Sequence, residues 1–193
     1  MELQLVTPPA EPVISLADAK LHLRVDHDAD DSLIAGLVSA GTEWVQSYTE
    51  RQLVTATYRV SVENWRTCGC RGKPPELFEL PRTPVQAVNF VSYVDPEGNA
   101  QTLSPTLYRA NRDGLYFLHN LPSLSVREDA VRVNYDAGYG TAAQVPDLLK
   151  VALKLWVGEF YAHRETSVVG TIVNELPLSI YRLCDPFRVR GVR

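Results

Sequence analysis

The feature that most constrains the fold is residues 130–165, where an alternating segment, a glycine turn and the longest apolar helical pattern follow one another. Residues 130–135 alternate apolar and polar side chains, which predicts a strand. Gly138 and Gly140 predict a turn that needs positive φ, and Pro146 suits the first turn of a helix that continues to about residue 163. Because this helix is apolar on more than one side, it is either deeply buried or covered by a second chain.

The two apolar sides of this helix predict two kinds of contact. The side that we expect in the core is formed by residues at helical spacing, namely Leu149, Leu153, Trp156 and Phe160. Val151 and Leu155 point elsewhere. We expect them to face a neighbouring subunit or the sheet, and they are our candidates for a subunit interface.

Length and composition favour one soluble domain. A chain of 193 residues can bury a self-sufficient core. No apolar run reaches the roughly 18 residues of a transmembrane helix, and the first residues lack a signal-peptide pattern, so we expect a protein of a reducing cytoplasm with no membrane partner. The three cysteines, Cys68, Cys70 and Cys184, lack the second pair that a tetrahedral zinc site needs. We therefore expect no metal and no cofactor.

The net charge of −4 argues against a general nucleic-acid binder, but the charge is unevenly distributed. Residues 1–50 contain nine acidic and two basic side chains, whereas residues 181–193 contain four arginines and one aspartate. Two interpretations stay open. The two ends are ordinary solvated faces, or the molecule has an acidic end and a basic end that meet different partners.

The two ends of the chain predict helices. Residues 1–14 form an extended, proline-punctuated arm that lies on a surface, its own or a neighbour's. Ser15 caps a short helix to about residue 25, and the acidic run 26–31 ends it and caps an amphipathic helix over residues 31–49. After the helix at 146–163, a last short helix is predicted over residues 175–184. Pro177 is expected in its first turn, with Leu178, Tyr181 and Leu183 pointing inward.

Between residues 53 and 136 the apolar period changes to two, which predicts strands. The main ones are at 55–62, 85–94 and 130–135, with shorter ones near 77–80, 107–110 and 115–118, and residues 85–103 form a hairpin. The predicted fold class is α+β, a helical bundle built from N- and C-terminal helices with a small inserted antiparallel β-sheet. We expect a single domain over residues 1–193, divided into an arm (1–14), helices (15–50), a β-rich insertion (53–136), helices (146–184) and a C-terminal tail (185–193).

Three patterns suggest chemistry and are weak on inspection. Asp26, Asp28 and Asp30 imitate the first ligands of an EF-hand loop, but the sixth position lacks glycine and the twelfth lacks glutamate. They serve as a helix cap, or as an acidic surface that faces a lumen or a partner. The glycines at 138 and 140 resemble part of a dinucleotide fingerprint, but the helix begins only beyond the motif.

The histidines complete the search for a catalytic group. None of the four, His22, His27, His119 and His163, has a nucleophile-elbow or metalloprotease context. His163 ends a helix, where a cation interacts favourably with the helix dipole, so a capping role is predicted. We expect that the chain is not an enzyme, and a small soluble α+β enzyme or ligand-binding domain remains the alternative.

The C-terminal segment, residues 185–193, contains Pro186, which cannot continue the helix. From Phe187 onward it is predicted to be an open strip that alternates apolar with cationic side chains. Such a strip can add to a partner's sheet edge or lie in an acidic groove, and a frayed terminus is the other interpretation. Our candidate docking residues in this segment are Phe187, Arg188, Val189, Arg190 and Arg193.

Several motifs, taken in order, resemble the head-to-tail connector (adaptor) proteins of tailed bacteriophages, prophages and phage-derived gene-transfer agents. They are the opening PVISLADAKLHLRVD (12–26) with the helix that follows it, LPRTPV (80–85), YVDPEG (93–98), YDAGYG (135–140), VPDLLK (145–150) and YAHRE (161–165). The resemblance covers about residues 12–187. The loop at 64–75, which contains Cys68 and Cys70, departs from the family pattern.

The resemblance implies a structural role. Members of this family form a ring, usually of twelve subunits, which sits under the portal protein at the capsid vertex and lets DNA pass through its centre without sequence-specific binding. Their C-terminal ends reach into the portal, and a stopper or tail terminator protein follows on the tail side. The implied location is the head-tail neck of a virion or phage-like particle, assembled in the bacterial cytoplasm. Whether the source is a phage, a prophage or a gene-transfer agent stays open.

Overall fold

In a computed structural model of the chain, residues 1–65, 77–118, 121–163 and 176–189 are described. The α+β class is confirmed. The helices are α1 (Leu16–Leu23), α2 (Asp31–Thr49), α3 (Asp147–Ala162) and α4 (Leu178–Cys184), and the strands are β1 (Glu2–Thr7), β2 (Ala56–Val62), β3 (Leu77–Glu79), β4 (Val85–Val94), β5 (Ala100–Thr102), β6 (Tyr108–Ala110), β7 (Gly114–Phe117) and β8 (Val131–Ala137).

The chain divides into two compact units. Residues 1–10 and 55–139 form a sheet unit, and residues 11–54 and 140–193 form a helical unit. The helices therefore come from both ends of the chain, as expected, but the sheet unit is not a pure insertion because it also contains β1. That the two units act as a single adaptor domain stays a prediction.

The sheet unit contains two antiparallel sheets. The larger has the strand order β1-β2-β8-β4-β5, and the smaller has the order β3-β7-β6. In β2 every second residue is buried, so the period-two pattern of the sequence corresponds to one face in the core and one outside. The two sheets share one core, which includes Val60, Val133 and Tyr135 from the larger sheet and Phe78 and Leu115 from the smaller.

The N-terminal arm is a strand of this unit. Residues of β1 pair antiparallel with β2, from Glu2 opposite Ser61 to Leu5 opposite Tyr58. Leu3 packs against the core, whereas Leu5 is half exposed. The arm is thus extended, as predicted. Its strand β1 forms one edge of the larger sheet of the same chain.

The predicted hairpin is present and its turn explains why. Ser92 pairs with Thr102 across β4 and β5. The turn is closed by Asp95, whose Oδ1 accepts a hydrogen bond from the Asn99 N–H at 2.7 Å, and by Gly98, which has a φ of 89°. An aspartate that accepts a backbone hydrogen bond and a glycine with positive φ are both typical of such a turn.

The helical unit begins with a capped helix. The Ser15 Oγ accepts a hydrogen bond from the Asp18 N–H at 3.0 Å, which confirms the predicted N-cap of α1. The helix ends at Leu23, two residues earlier than expected, because Arg24 adopts a left-handed conformation with a φ of 58°. The bounds predicted for α2, residues 31–49, are confirmed.

Close approach of α2 and α3 depends on Gly41. A Cβ atom at this position would lie 2.7 Å from Leu153 Cδ1 and 2.7 Å from Trp156 Cε3. Leu149, Leu153 and Trp156 are buried, which confirms the predicted core side of α3, but Phe160 is 39% exposed. Phe160 instead packs on the rim of the core, with its ring 4.1 Å from that of Trp156.

The last helix differs from its prediction. It begins at Leu178 rather than at residue 175, with Pro177 as its N-cap residue. We expected Leu178 to point inward, but it is 62% exposed, and Ile180 and Cys184 form the buried side. Burial raises the pKa of the Cys184 thiol to about 11, so this thiol is unreactive at neutral pH. Cys68 and Cys70 lie outside the described residues.

The position of Trp156 gives a stability prediction. Replacing Trp156 by Ala removes a large buried side chain beside Gly41, and we expect the free energy of unfolding to fall by about 3–5 kcal/mol, measured in a circular-dichroism denaturation experiment. Its indole N–H is buried and has no hydrogen-bond partner among the described residues. Trp156→Phe removes this N–H and keeps an aromatic ring, so it should lower the free energy of unfolding much less. An unchanged melt for Trp156→Ala would remove this residue from the core.

Candidate functional site

The described residues offer three candidate surfaces rather than a catalytic pocket. We call them the acidic corner (Asp26, Asp28, Asp30 and Asp31 with Lys20), the apolar row (Leu148, Val151 and Leu155) and the tail root (residues 185–189). All three belong to the helical unit.

In the acidic corner, one lysine holds two of the carboxylates. The Lys20 Nζ lies 2.7 Å from Asp28 Oδ1 and 2.7 Å from Asp31 Oδ1. The hydrogen bond from Lys20 lowers the pKa of Asp28, and the hydrogen bonds to the two carboxylates raise the pKa of Lys20. Asp26 is exposed. The corner joins the end of α1 to the start of α2, and Lys20 offsets part of its negative charge.

Asp30 has a different role from the one predicted. It is the N-cap residue of α2, but its carboxylate makes no capping hydrogen bond to that helix. It accepts a hydrogen bond from the Tyr161 hydroxyl at 2.5 Å instead, which links the start of α2 to the last turn of α3. Within residues 1–65, 77–118, 121–163 and 176–189, no group of three His, Cys, Asp or Glu side chains is placed to hold a metal ion.

The apolar row lies on α3. Val151 and Leu155, our predicted interface residues, are 45% and 37% exposed, and Leu148 is 47% exposed. Spacings of three and four residues place them on one stripe of the helix. Leu148 was not among the predicted interface residues, although the same spacing rule applied one turn earlier would have included it.

The tail root is folded back onto the last turn of α2. Val189 donates its N–H to the Thr49 carbonyl at 3.0 Å, and the Arg51 Nε donates to the carbonyl of Phe187. The Tyr48 hydroxyl donates to Asp185 Oδ1 at 2.5 Å, and this hydrogen bond raises the pKa of Tyr48.

Aromatic rings support the same contact. The Arg188 guanidinium lies 5.1 Å from the centroid of the Tyr48 ring, a cation–π distance. Trp44 stacks on Tyr48 with centroids 5.4 Å apart, and Tyr181 of α4 meets both rings edge-on. Arg188 is exposed, and Phe187 and Val189 are half-buried.

This geometry corrects the prediction of an open strip that starts at Phe187. Residues Asp185–Phe187 form a 3₁₀ turn with Pro186 at its start, because proline is compatible with the first turn of a helix. The other two candidate docking residues, Arg190 and Arg193, lie outside the described residues. Sequence reasoning missed the contacts with Tyr48 and Arg51, since no spacing rule joins positions so far apart in the chain.

The remaining candidates have structural roles. Gly138 and Gly140 have φ values of 130° and 123°, which confirms the predicted turn. Residues Ala142–Gln144 form a 3₁₀ turn before α3 begins at Asp147. His163 is the C-cap residue of α3, as predicted, and its Nδ1 lies 3.2 Å from Glu159 Oε1. In the part of the chain that the structure describes, no helix is long and apolar enough to cross a membrane.

Part of the chain matches a family of phage connector proteins. Residues 13–97, slightly less than half of the chain, match the family model described as phage gp6-like head-tail connector protein. This match confirms, over those residues, the resemblance to head-tail connector proteins that the sequence motifs indicate. A search among curated proteins finds no match.

The fold of the whole chain is shared with proteins of gene transfer agent (GTA) particles. A chain from the virion of a native GTA particle matches with a TM-score of 0.80 and 21% identity, over 100% of this chain and 98% of that one. Chains from the neck of an empty GTA particle and the neck of a native GTA particle, computed with C6 and C12 symmetry, each match with a TM-score of 0.77, at 22% and 20% identity and with the same coverage. At 20–22% identity these matches show a shared fold.

The acidic corner gives a prediction about titration. In a Lys20→Gln variant the pKa of Asp28 should rise toward the ordinary value of about 3.9, measured by carboxyl NMR. Because the Asp28 pKa is lowered in the folded state, its contribution to stability is present above the unfolded value and is lost as the pH falls through the folded value. Lys154→Gln, a change to a lysine elsewhere in the same unit, should leave Asp28 unaffected. If Asp28 titrates identically in the wild type and in Lys20→Gln, the Lys20–Asp28 bridge does not form in solution.

Proposed function

We propose that this protein is a structural ring adaptor that joins the portal vertex of a phage or phage-like capsid to the tail. The observation that supports it best is the match of fold over the whole chain to proteins from particle necks with C6 and C12 symmetry, together with the connector family match. The proposed location is therefore the head-tail neck. The proposed partners are further copies of this chain in a ring, with twelve subunits as the expected number, the portal protein on one side and a stopper or tail terminator protein on the other.

The proposed subunit interface uses the apolar row. Exposed apolar side chains scattered singly are ordinary, whereas three on one helix stripe form a patch that another surface can cover. In a ring, a patch on one subunit meets a different patch on the next, so the row needs no self-complementary partner. Val151 and Leu155 lie at its centre and are the proposed contact residues.

The proposed channel lets DNA pass without holding it. Each phosphate contact made by a cation adds salt-dependent binding, which would impede passage. A lumen lined by carboxylates avoids this, and the acidic corner, with Asp26, Asp28 and Asp30, is our candidate for a lumen-facing or partner-facing surface. Lys20 reduces its charge but leaves Asp26 exposed.

The proposed portal-docking element is the C-terminal segment, with Phe187, Arg188, Val189, Arg190 and Arg193. Arg188 is exposed, and the sequence supplies two further arginines after it. Arginine forms bidentate, charge-assisted contacts with carboxylates, which suits docking on an acidic groove of the portal. Phe187 and Val189 contribute by fixing the segment on α2 rather than by presenting a free apolar edge.

Ring assembly is tested with a double variant of the apolar row. Val151→Asp combined with Leu155→Asp should fold with a wild-type circular-dichroism spectrum and fail to form rings on portal-bearing particles, as counted by electron microscopy. An unpaired carboxylate buried in an interface costs at least about 3 kcal/mol, which weakens association more than about a hundredfold. Ser39→Asp places one such carboxylate on an exposed position of α2 and should assemble normally. Normal rings from the double variant would exclude the row from the interface.

Portal docking is tested by deletion of residues 190–193. This deletion leaves every described contact of the tail root in place, so the protein should fold and melt like the wild type. It should attach to portal-bearing capsids at least about tenfold more weakly, since it removes two arginine contacts. Attachment with unchanged affinity would mean that docking is carried by another part of the chain.

A further inference from the structure

The tail root is held on the end of α2 by contacts with Tyr48, Thr49 and Arg51. Tyr48 and Arg51, at the end of α2 and just beyond it, bond to Asp185 and to the carbonyl of Phe187. Two residues after Phe187, the Val189 N–H donates a hydrogen bond to the Thr49 carbonyl at 3.0 Å, which is the last described backbone hydrogen bond of the segment. Val189 is the last residue that the structure describes, and Arg190 and Arg193 follow it in the sequence.

We propose that Tyr48 and Arg51 are positioning residues for portal docking, because they fix the place from which the last four residues depart. The proposal rests on the proposed docking role of the C-terminal segment and names the device that directs it. The partner surface that this device fits is an acidic groove of the portal, within the reach of four residues from Val189, which is at most about 13–14 Å for an extended chain.

The length of chain between a docking residue and the last held residue determines how much docking should weaken when the tail root is released. If the segment were released from Asp185 onward, Arg193 would lie nine residues from the last held residue, Cys184, rather than four residues from Val189. The local concentration of a tethered group falls roughly as the −3/2 power of tether length, so this release alone lowers it about threefold. Release also weakens docking in a second way. The side chains of the tail root are ordered before binding in the wild type, whereas in the released segment they must be ordered during binding, which costs conformational entropy. We expect docking to weaken by about three- to tenfold.

The chemistry of the contacts suggests variants that keep the fold. Tyr48→Phe removes the hydroxyl that bonds to Asp185 and keeps the ring that stacks on Trp44 and lies beside Arg188. Arg51→Gln removes the guanidinium that bonds to Phe187. Tyr161→Phe is the matched control, because it deletes an equally short tyrosine–aspartate hydrogen bond, to Asp30 at 2.5 Å, elsewhere in the same unit.

The experiment has two readouts on each full-length variant. Trypsin cleavage after Arg188, followed by mass spectrometry, reports whether the root is held, because a protease needs the scissile bond released from its neighbours. Attachment to portal-bearing particles that lack the adaptor reports docking. In Tyr48→Phe and Arg51→Gln, cleavage should be faster and attachment about three- to tenfold weaker, with Tyr161→Phe like the wild type in both.

The outcomes separate this inference from the docking role itself. If deletion of residues 190–193 leaves attachment unchanged, the docking role of the tail fails. If that deletion weakens attachment, but Tyr48→Phe and Arg51→Gln attach like the wild type, the positioning role is wrong and docking by the tail stands. Unchanged cleavage after Arg188 in both variants would also overturn the positioning role, because it would show that these two side chains do not hold the root.

Discussion

The contact on which the helical unit depends is the one between Gly41 and the pair Leu153 and Trp156. Because a Cβ atom at position 41 would lie 2.7 Å from both side chains, only glycine lets α2 and α3 approach this closely. The approach has consequences at both ends of α2. It brings Asp30, at the start of α2, within reach of Tyr161. At the other end, α3 packs on α4, and the segment after α4 reaches Tyr48. One missing methyl group thus sets the geometry of two of the candidate surfaces.

The charges of the helical unit are used mainly to join its elements. Lys20 connects α1 to the start of α2 through Asp28 and Asp31, and Asp185 connects the end of α4 to Tyr48. The uneven charge distribution of the sequence therefore has a local structural use at each end. Asp26, Asp28, Asp185 and Arg188 all remain exposed, and a docking or repelling function falls on exposed charged residues of this kind.

The parts of the fold that were predicted correctly are those that depend on residues close together in the sequence. The bounds of α2 and β4 were predicted correctly from the apolar residues of each segment and the turn residues that flank it. The start of α4 was misplaced because Pro177 was assigned to the first turn rather than to the N-cap, and Leu178 then appeared to face inward. The hydrogen bond from Tyr48 to Asp185 joins residues 137 positions apart. No periodicity encodes such a contact, so the tail root could be found only in the folded chain.

The apolar row and the C-terminal tail have complementary roles in the proposed assembly. The apolar row is exposed in the single chain, and covering it with another copy would gain roughly 25 cal/mol for each Å² of apolar area removed from water. Three side chains on one helix supply little area, so the row alone gives a weak contact. A weak contact between subunits suits the proposed assembly on a portal, because a tail held by the portal would raise the local concentration of neighbouring copies. In that arrangement the anchored tail and the apolar row depend on each other, and neither has to be strong alone.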